Sequence, residues 1–357
     1  MRRTRRAAIV VSAIVFVGIL ALVLRTFDAM GVFTDVTPMA CNDPSLIPGI
    51  AGAGDMAFDA PDNSLFIAAT AARLWPAHAS PADGLYLYRP GGAAAPFKLK
   101  GTTADFHPLG LSLFRGADGS LTLMAINMPV QGKPAVDIFD VSDATTTRIA
   151  LHEREAVAGD LLVSPASIVA VDKSRFYATN DHTSTTSLGH ALEIHLMLPR
   201  ANVVYFDGTD FHVVAKGLRL AAGIAQSPDG SHIYVAETTG RAVHTYSRNA
   251  FSGDLASVGE LPVDASLDNI AIAPSGDLFV AGEPKLFDFL AFSRDASRPS
   301  PSDVFRVAVD DRGVPKAVSL IYSGTNIGAA SVGVPLQNRL LIGSAFASKV
   351  LSCALRR

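Results

Sequence analysis

The stretch Ser266-Leu-Asp-Asn-Ile-Ala-Ile-Ala-Pro-Ser-Gly-Asp-Leu-Phe-Val-Ala-Gly282 has the pattern of a β-hairpin with a polar pair at one end. An apolar run over 269–273 predicts a first strand, residues 274–277 have tight-turn composition, and residues 278–281 predict the returning strand. Asp268 and Asn269 stand where the first strand begins.

A similar phrase recurs six times along the chain, at 54–68, 110–124, 167–178, 223–236, 266–282 and 329–343. The copies start roughly 45 to 60 residues apart, which leaves room for four strands and their loops per copy. Further apolar runs at 84–88, 136–140, 202–206 and 243–246 predict outer strands. This repetition predicts an all-β, six-bladed β-propeller. The alternative is a pair of β-sandwiches, which need not repeat one phrase.

The N-terminal segment has the pattern of a membrane signal. Four arginines within residues 2–6 precede residues 7–24, an uncharged apolar run that spans roughly 27 Å as a helix, close to the ~30 Å hydrocarbon core. No small-residue cleavage site follows, so we expect an uncleaved signal-anchor in residues 1–30, with a cleaved signal and a secreted protein as the alternative. The arginines predict a cytoplasmic start and a propeller domain, residues 31–357, outside the cytoplasm, whether periplasmic, lumenal or extracellular.

Charge and cysteine content narrow the possibilities further. With 30 basic and 33 acidic residues the chain has no basic field for nucleic acid, and we exclude that partner. The two cysteines are Cys41, at the start of the propeller, and Cys353, near its end. In an oxidising compartment they can join the chain ends, so a disulfide is expected; two unpaired buried cysteines are the alternative.

Several phrases in the predicted order resemble those of the paraoxonase/arylesterase family: Phe106-His-Pro-Leu-Gly-Leu-Ser112, Phe176-Tyr-Ala-Thr-Asn-Asp-His182, Ala222-Gly-Ile-Ala-Gln-Ser-Pro-Asp-Gly230, Leu267-Asp-Asn-Ile270 and Leu340-Leu-Ile-Gly343. The resemblance runs from about Cys41 to Cys353. It implies a calcium-dependent lactonase or arylesterase that acts on a small-molecule ester or lactone. In that family a catalytic calcium lies in the central tunnel with a structural calcium below it, and a histidine pair lies near the substrate. A cation held by oxygen ligands polarises the ester carbonyl there.

The resemblance assigns four metal-ligating positions. Asp268 and Asn269 match two ligands of the catalytic calcium, Asp55 matches a ligand of the structural calcium, and Leu111 offers a backbone carbonyl. Other family positions carry different residues here, namely Gly54, Ala166-Ser167 and Ala222 in place of metal ligands, and Leu109 and Met128 in place of the histidine pair. Because calcium takes six to eight oxygens, several of them charged, we expect any calcium to bind weakly.

His107 is the candidate catalytic residue from outside the family pattern. It lies two positions after Asp105, so strand alternation places both side chains on one side, near the tunnel mouth. The alternative is a solvent-facing histidine or one hydrogen-bonded in the core.

The segment Ser187–Leu198 has leucines at helical spacing and predicts an amphipathic lid helix. Asp181 and His182, just before it, are expected to cap a strand end. His190, Glu193 and His195 lack the spacing of a metal-binding helix and are interpreted as solvated or lid residues.

Two functional hypotheses remain open, because the sequence has no Gly-x-Ser-x-Gly elbow, phosphate loop or further metal motif. One is a hydrolase of lactones or aryl esters with an altered metal site. The other is a non-catalytic, membrane-anchored propeller that binds a ligand or partner. A strictosidine-synthase-like propeller is a third candidate, and the terminal cysteine pair favours the paraoxonase branch over it.

Overall fold

The computed structural model describes residues 2–73, 79–92, 95–142 and 149–355, with side chains from residue 9 onward. The four arginines at the start of the helix therefore lie outside the described side chains. Within the described residues, 24 strands form six four-stranded antiparallel sheets. This confirms the six-bladed β-propeller preceded by an apolar helix.

The helices and strands have the following bounds: α1 Arg2–Ala29, β1 Asn42–Pro48, β2 Ala53–Asp59, β3 Ser64–Ala69, β4 Gly84–Tyr88, β5 Phe97–Lys98, β6 Pro108–Arg115, β7 Leu121–Asn127, β8 Ala135–Ser142, β9 Ala150–Val157, β10 Pro165–Ala170, β11 Phe176–Asn180, α2 Ser187–His195, β12 Ala201–Phe206, β13 Phe211–Leu218, β14 Ala221–Gln226, β15 His232–Glu237, β16 Ala242–Arg248, β17 Leu255–Pro262, β18 Ser266–Ile272, β19 Leu278–Glu283, α3 Leu286–Arg294, β20 Ser302–Val309, β21 Pro315–Gly324, β22 Ala330–Leu336, β23 Arg339–Ser344 and β24 Lys349–Ala354.

Each repeated phrase forms the inner hairpin of one blade, from β2–β3 in the first blade to β22–β23 in the sixth. The four additional apolar runs lie in the third strands β4, β8, β12 and β16. The hairpin that defines the repeat, β18–β19, turns over residues 273–277, where the N–H of Ala273 donates to the carbonyl of Asp277 at 2.9 Å. Local turn chemistry in the sequence therefore determines the inner half of every blade.

The last blade is closed by both ends of the chain. Strand β1 pairs with β24, with Asn42 opposite Ala354, so β1 supplies the outer strand of the sheet that β22, β23 and β24 begin. Beside this pair, Cys41 and Cys353 form the expected disulfide, with their Cα atoms 5.1 Å apart. The disulfide covalently fixes the pairing of β1 with β24, which joins the two ends of the chain.

The hydrophobic core consists of six apolar clusters, each between two neighbouring blades. The cluster between the first and second blades, for example, contains the fully buried Phe66 and Leu85 on one side and Leu123 and Phe139 on the other. Since each blade buries both faces in this way, the six sheets form one closed ring. The starts of the inner strands are thereby held around a common axis.

The three helices of the described residues lie at the face where the inner strands begin. Residues Ile9–Ala29 of α1 are long and apolar enough to cross a membrane, with a mean hydropathy of 2.5. Just beyond them, the carbonyl of Met30 accepts the N–H of Leu286 in α3 at 3.0 Å. Thr26 Oγ1 lies 3.4 Å from the carbonyl of His195 at the end of α2. The chain thus enters the propeller beside α2 and α3.

The predicted lid helix is present but shorter than its pattern, since α2 ends at His195 and Leu196 is its C-cap. Its leucines face outward, with Leu188 73% exposed. Glu193, interpreted from the sequence as a solvated or lid residue, does lie in this helix, but it is not solvated, because it is 5% exposed. It turns inward because its Oε2 accepts the N–H of Thr183 at 3.1 Å in the segment that precedes the helix.

Candidate active site

The inner strand of every blade carries a break in register near its start. The shifts occur at Ala53/Asp55, Pro108/Leu111, Pro165/Ile168, Ala221/Ile224, Leu267/Ile270 and Ala330/Val332. Such bulges release residues from the ladder and redirect their side chains. Asp55, Asp268 and Asn269 all lie at these breaks, which explains how strand residues come to face the axis.

The bulged residues pack against one another around the axis. A Cβ on Gly223 would lie 2.4 Å from the carbonyl oxygen of Asp268, so only glycine fits beside that backbone. Across the ring, Asn269 Nδ2 in the fifth blade donates to the carbonyl of Gly54 in the first blade at 3.1 Å. This bond bypasses the sixth blade and therefore places Asn269 at the narrowest part of the propeller axis, which we call the neck.

A cavity of about 720 Å³ runs from this neck toward the hairpin turns on the opposite face. Its inner end is formed by Asp55, Leu111 and Ser167, and its outer end by turn residues such as Pro228 and Pro274. The cavity is the central tunnel expected of a propeller, with a carboxylate at its inner end.

Asp55 is held firmly in the tunnel. Its side chain is 6% exposed, and its two oxygens accept the N–H groups of Met56 at 2.8 Å and Leu111 at 2.9 Å. Burial raises the pKa of Asp55 to about 7, against the opposing effect of these two hydrogen bonds. Without a nearby cation, this carboxyl group is therefore partly protonated at neutral pH.

Asp268 is the acid that neighbours Asp55 at the neck. Burial and then the negative charge of Asp55 raise its pKa to about 8. Two further acids continue the line outward through the fifth blade: burial and then the charge of Asp268 raise the pKa of Glu283, and burial raises that of Asp303 to about 6. We call Asp55, Asp268, Glu283 and Asp303 the acid line.

Three oxygen atoms in and beside the acid line are buried without a hydrogen-bond partner. They are Asn269 Oδ1, Glu283 Oε1 and Asp303 Oδ1. Buried polar atoms are nearly always paired, so the orphaned oxygens of Asn269 and Glu283 beside Asp268 mark a place where a positive partner is missing.

In three other blades, the residue equivalent to Glu283 has a structural role. The residue that ends the second strand is Asn127 in the second blade, Asn180 in the third and Glu237 in the fourth. In these three blades its side-chain oxygen accepts a backbone N–H that precedes the inner strand, from His107, Ser164 and Arg219 respectively. Glu283 ends the second strand of the fifth blade, yet its Oε1 makes no such bond.

The residues present therefore fit a hard divalent cation. Carboxylates and an amide oxygen are the ligands that calcium takes, and Asp268, Asn269 Oδ1 and Glu283 Oε1 supply both kinds with two formal charges. Only Asp268 and Asn269 were expected from the sequence. Glu283 and Asp303 were missed, although the shared strand-end position of Glu283 and Glu237 was visible in the repeat.

Asp55 and Leu111 are in contact, because the backbone N–H of Leu111 donates to the Asp55 carboxylate. A cation bound by Asp55 and the Leu111 carbonyl stays a prediction.

His107 does not line the tunnel, and its ring lies between the carboxylates of Asp83 and Asp105. Its side chain is 2% exposed, with Nδ1 2.7 Å from Asp83 Oδ2 and Nε2 3.0 Å from Asp105 Oδ1. Asp105 and His107 thus lie together as expected, although both precede β6 and do not alternate along a strand. Because both ring nitrogens already have partners, this geometry favours a role in positioning the loop that leads into β6, and a catalytic role stays a prediction.

Comparisons with known proteins agree with this architecture. A family model described as arylesterase matches residues 96–355. The chain is 32% identical over 269 residues to serum paraoxonase/arylesterase 1 of Mus musculus, which covers 74% of this chain and 73% of that protein. It is 34% identical over 258 residues to serum paraoxonase/arylesterase 2 of Homo sapiens, covering 71% and 70% of the two chains.

Among solved structures, a gluconolactonase from Xanthomonas campestris aligns with a TM-score of 0.52 and 15% identity, covering 90% of this chain and 98% of that one. The aldose sugar dehydrogenase of Streptomyces coelicolor aligns with a TM-score of 0.53 and 12% identity, over 90% and 100% of the two chains. At these identities the likeness shows the propeller fold alone. The family match and the two curated relatives go further: the chain belongs to the arylesterase family.

Proposed function

We propose that this protein hydrolyses lactones or aryl esters at the neck of its tunnel, with a divalent cation held by Asp268, Asn269 and Glu283. Membership of the arylesterase family supports an esterase or lactonase type of function. The observation that carries the site is the pair of orphaned buried oxygens, Asn269 Oδ1 and Glu283 Oε1, beside the Asp268 carboxylate.

The proposed cation would supply Lewis-acid polarisation of the scissile carbonyl. The chain's own residues provide the orientation. Asn269 is held by its Nδ2 bond to Gly54, so its Oδ1 is fixed at the neck. Gly223 lets the backbone of Asp268 approach closely, which fixes the carboxylate on the axis. Because the small residues Gly54, Ala166 and Ala222 stand where the family has longer ligands, waters and the substrate oxygen would have to complete the coordination.

The test is hydrolysis by the full-length, detergent-solubilised chain of a set of lactones and phenyl esters. We expect activity that chelator removes and calcium restores, and that Asp268→Asn lacks throughout. If the wild type hydrolyses none of the substrates with calcium present, the non-catalytic propeller is the better account. If chelator leaves the activity intact, the catalytic group lies elsewhere.

We further propose that α1 stays attached as a membrane anchor, with the propeller outside the cytoplasm. The 21-residue apolar segment Ile9–Ala29, the basic residues before it and the disulfide of an oxidising compartment support this topology. A mature N-terminus near residues 25 to 35 in mass spectrometry of the native protein would instead indicate a cleaved signal.

A further inference from the structure

A second group of ligating side chains lies outside the tunnel site, where β11 ends and α2 begins its second turn. It comprises Asp181, His182, His190 and Glu193, which we call the α2 cluster. A carboxylate oxygen of Asp181 and one ring nitrogen from each histidine all lie within 4.8 Å of one another. Sequence spacing does not reveal this arrangement, because Asp181 and His182 follow a strand end whereas His190 lies in a helix.

The two imidazoles are arranged as a pair. Their rings stack with centroids 3.7 Å apart and an angle of 13° between their planes. The pair brings two imidazole nitrogens, the donor type that transition metals take, into one place.

Hydrogen bonds already orient one of these rings. His182 Nδ1 lies 2.6 Å from Asp181 Oδ1, and Ser164 Oγ donates to the same oxygen at 2.5 Å. With Nδ1–H donating to the carboxylate, the lone pair of His182 is on Nε2. A carboxylate that fixes the tautomer and orientation of an imidazole is the usual support of a metal-binding histidine.

The fourth member provides an independent observation. Glu193 is 5% exposed and its Oε1 is buried without a hydrogen-bond partner, while Oε2 accepts the N–H of Thr183. Its negative charge acts on both imidazoles. This buried carboxylate, with one oxygen unused beside two half-buried histidines, is a further oxygen ligand available to a cation at this place.

We propose that the α2 cluster binds a divalent transition-metal ion of the zinc class, through His182, His190 and a carboxylate. Two imidazole nitrogens select zinc, cobalt or nickel over calcium and magnesium, which take oxygen ligands. Tetrahedral zinc with bonds of about 2.1 Å needs ligand atoms about 3.4 Å apart. Because the two rings stack nearly parallel, a shared ion requires one imidazole to turn out of the stack so that both in-plane lone pairs meet it.

Such an ion would join α2 to the propeller body. The helix presents its leucines to the outside, and its described ties to the sheets are few, with Thr186 capping it locally at Gly189. A metal shared by His190 on the helix and His182 at the strand end would fix the helix over the face where the inner strands begin. This site is independent of the proposed hydrolase function, and its test does not involve activity.

The experiment is calorimetric titration of untagged, full-length, detergent-solubilised protein with Zn²⁺, together with the visible ligand-field absorption of bound Co²⁺. The variants are His190→Ala and, as a matched control, His195→Ala, which removes an exposed histidine one turn further along the same helix. Both substitutions lie on a surface helix, so the propeller core is not disturbed. Hydrogen exchange of α2 with and without Zn²⁺ reports the fixing of the helix.

We expect His190→Ala to weaken Zn²⁺ binding by at least about tenfold and to abolish the tetrahedral Co²⁺ spectrum. His195→Ala should bind as the wild type does, and Zn²⁺ should slow hydrogen exchange in α2 of both the wild type and the control. Equal binding by the wild type and His190→Ala, or equal loss in the two variants, would overturn the proposal. Absence of any Zn²⁺ binding by the wild type would overturn it as well.

Discussion

Calcium affinity at the tunnel neck should rise steeply between about pH 6 and pH 8. Burial and the charge of Asp55 raise the pKa of Asp268 to about 8 in the metal-free protein. At pH 6 a cation must therefore displace a proton from this carboxyl group, whereas at pH 8 about half of the molecules already carry the anion. Binding and deprotonation are linked, so the apparent affinity should follow the ionised fraction.

The size of the effect follows from that pKa. For one linked group the apparent dissociation constant scales as 1 + 10^(pKa − pH), which falls about 50-fold from pH 6 to pH 8 for a pKa of about 8 and about 10-fold for a pKa of about 7. Stability without metal should change in the opposite sense. Since folding raises the pKa of Asp55 and Asp268 above the unfolded value of 3.8, the folded state binds more protons, and the free energy of unfolding should fall as pH rises from about 4 to about 8.

The assay is calcium titration by calorimetry at several pH values, with unfolding in chelator followed at the same pH values. Asp137→Asn is the matched control, because Asp137 is also a buried acid whose pKa burial raises to about 6, but it lies in the third strand of the second blade. The control should keep the pH dependence of calcium affinity. An affinity that is flat between pH 6 and pH 8 in the wild type would refute the linkage to Asp268.

Three further substitutions test separate parts of the structure. Glu283→Gln should weaken calcium binding at least about tenfold by removing one charge from the site, whereas Glu237→Gln, at the equivalent strand end of the fourth blade, should leave affinity unchanged; equal affinities for both variants would remove Glu283 from the site. Gly223→Ala should abolish calcium binding and lower the melting temperature, because its Cβ would lie 2.4 Å from the Asp268 carbonyl oxygen, while Gly54→Ala, with its nearest atom at 3.7 Å, should be tolerated; a normal Gly223→Ala protein would contradict the packing of the neck. Cys353→Ser should lower the free energy of unfolding by up to about 5–6 kcal/mol for a bridge that spans 312 residues, and unfolding curves that coincide with the wild type would show that the strand pairing suffices without the bridge.

The fold could be predicted from the sequence because its signals are local. Each inner hairpin carries its own turn residues, such as 274–277 between β18 and β19. Six copies of one such pattern are compatible with few folds other than a propeller. The disulfide was also predictable, since only Cys41 and Cys353 are present and a propeller must join its ends.

The candidate site could be predicted only in part. Asp268 and Asn269 were identified through the resemblance. Glu283 lies beside them because of the register between β18 and β19 and the bulge at Leu267/Ile270, and neither feature can be read from the sequence. His107 was singled out from strand alternation, but residues 105–107 precede β6 and are not in a strand, although Asp105 and His107 do lie together. What alternation cannot show is that Asp83, from another blade, reaches Nδ1 and engages the ring.

The α2 cluster escaped prediction for the same reason. Spacing within one helix excluded a metal site on His190, Glu193 and His195, and that exclusion holds for the helix alone. The structure adds His182 from the strand end, and a site shared between two elements has no fixed sequence spacing.

The most direct test of the tunnel site is equilibrium calcium binding by the full-length protein, wild type against Asp268→Asn, with calcium up to about 10 mM, well above the ~10⁻⁴–10⁻³ M range of weak extracellular sites. Asp268→Asn keeps the shape of the side chain, removes its charge and replaces one acceptor oxygen with an NH₂ group. The wild type should bind calcium at the neck, and the variant should lose that binding while it remains folded. Equal calcium binding by the two proteins, or none by the wild type at about 10 mM, would contradict a cation site at Asp268, Asn269 and Glu283.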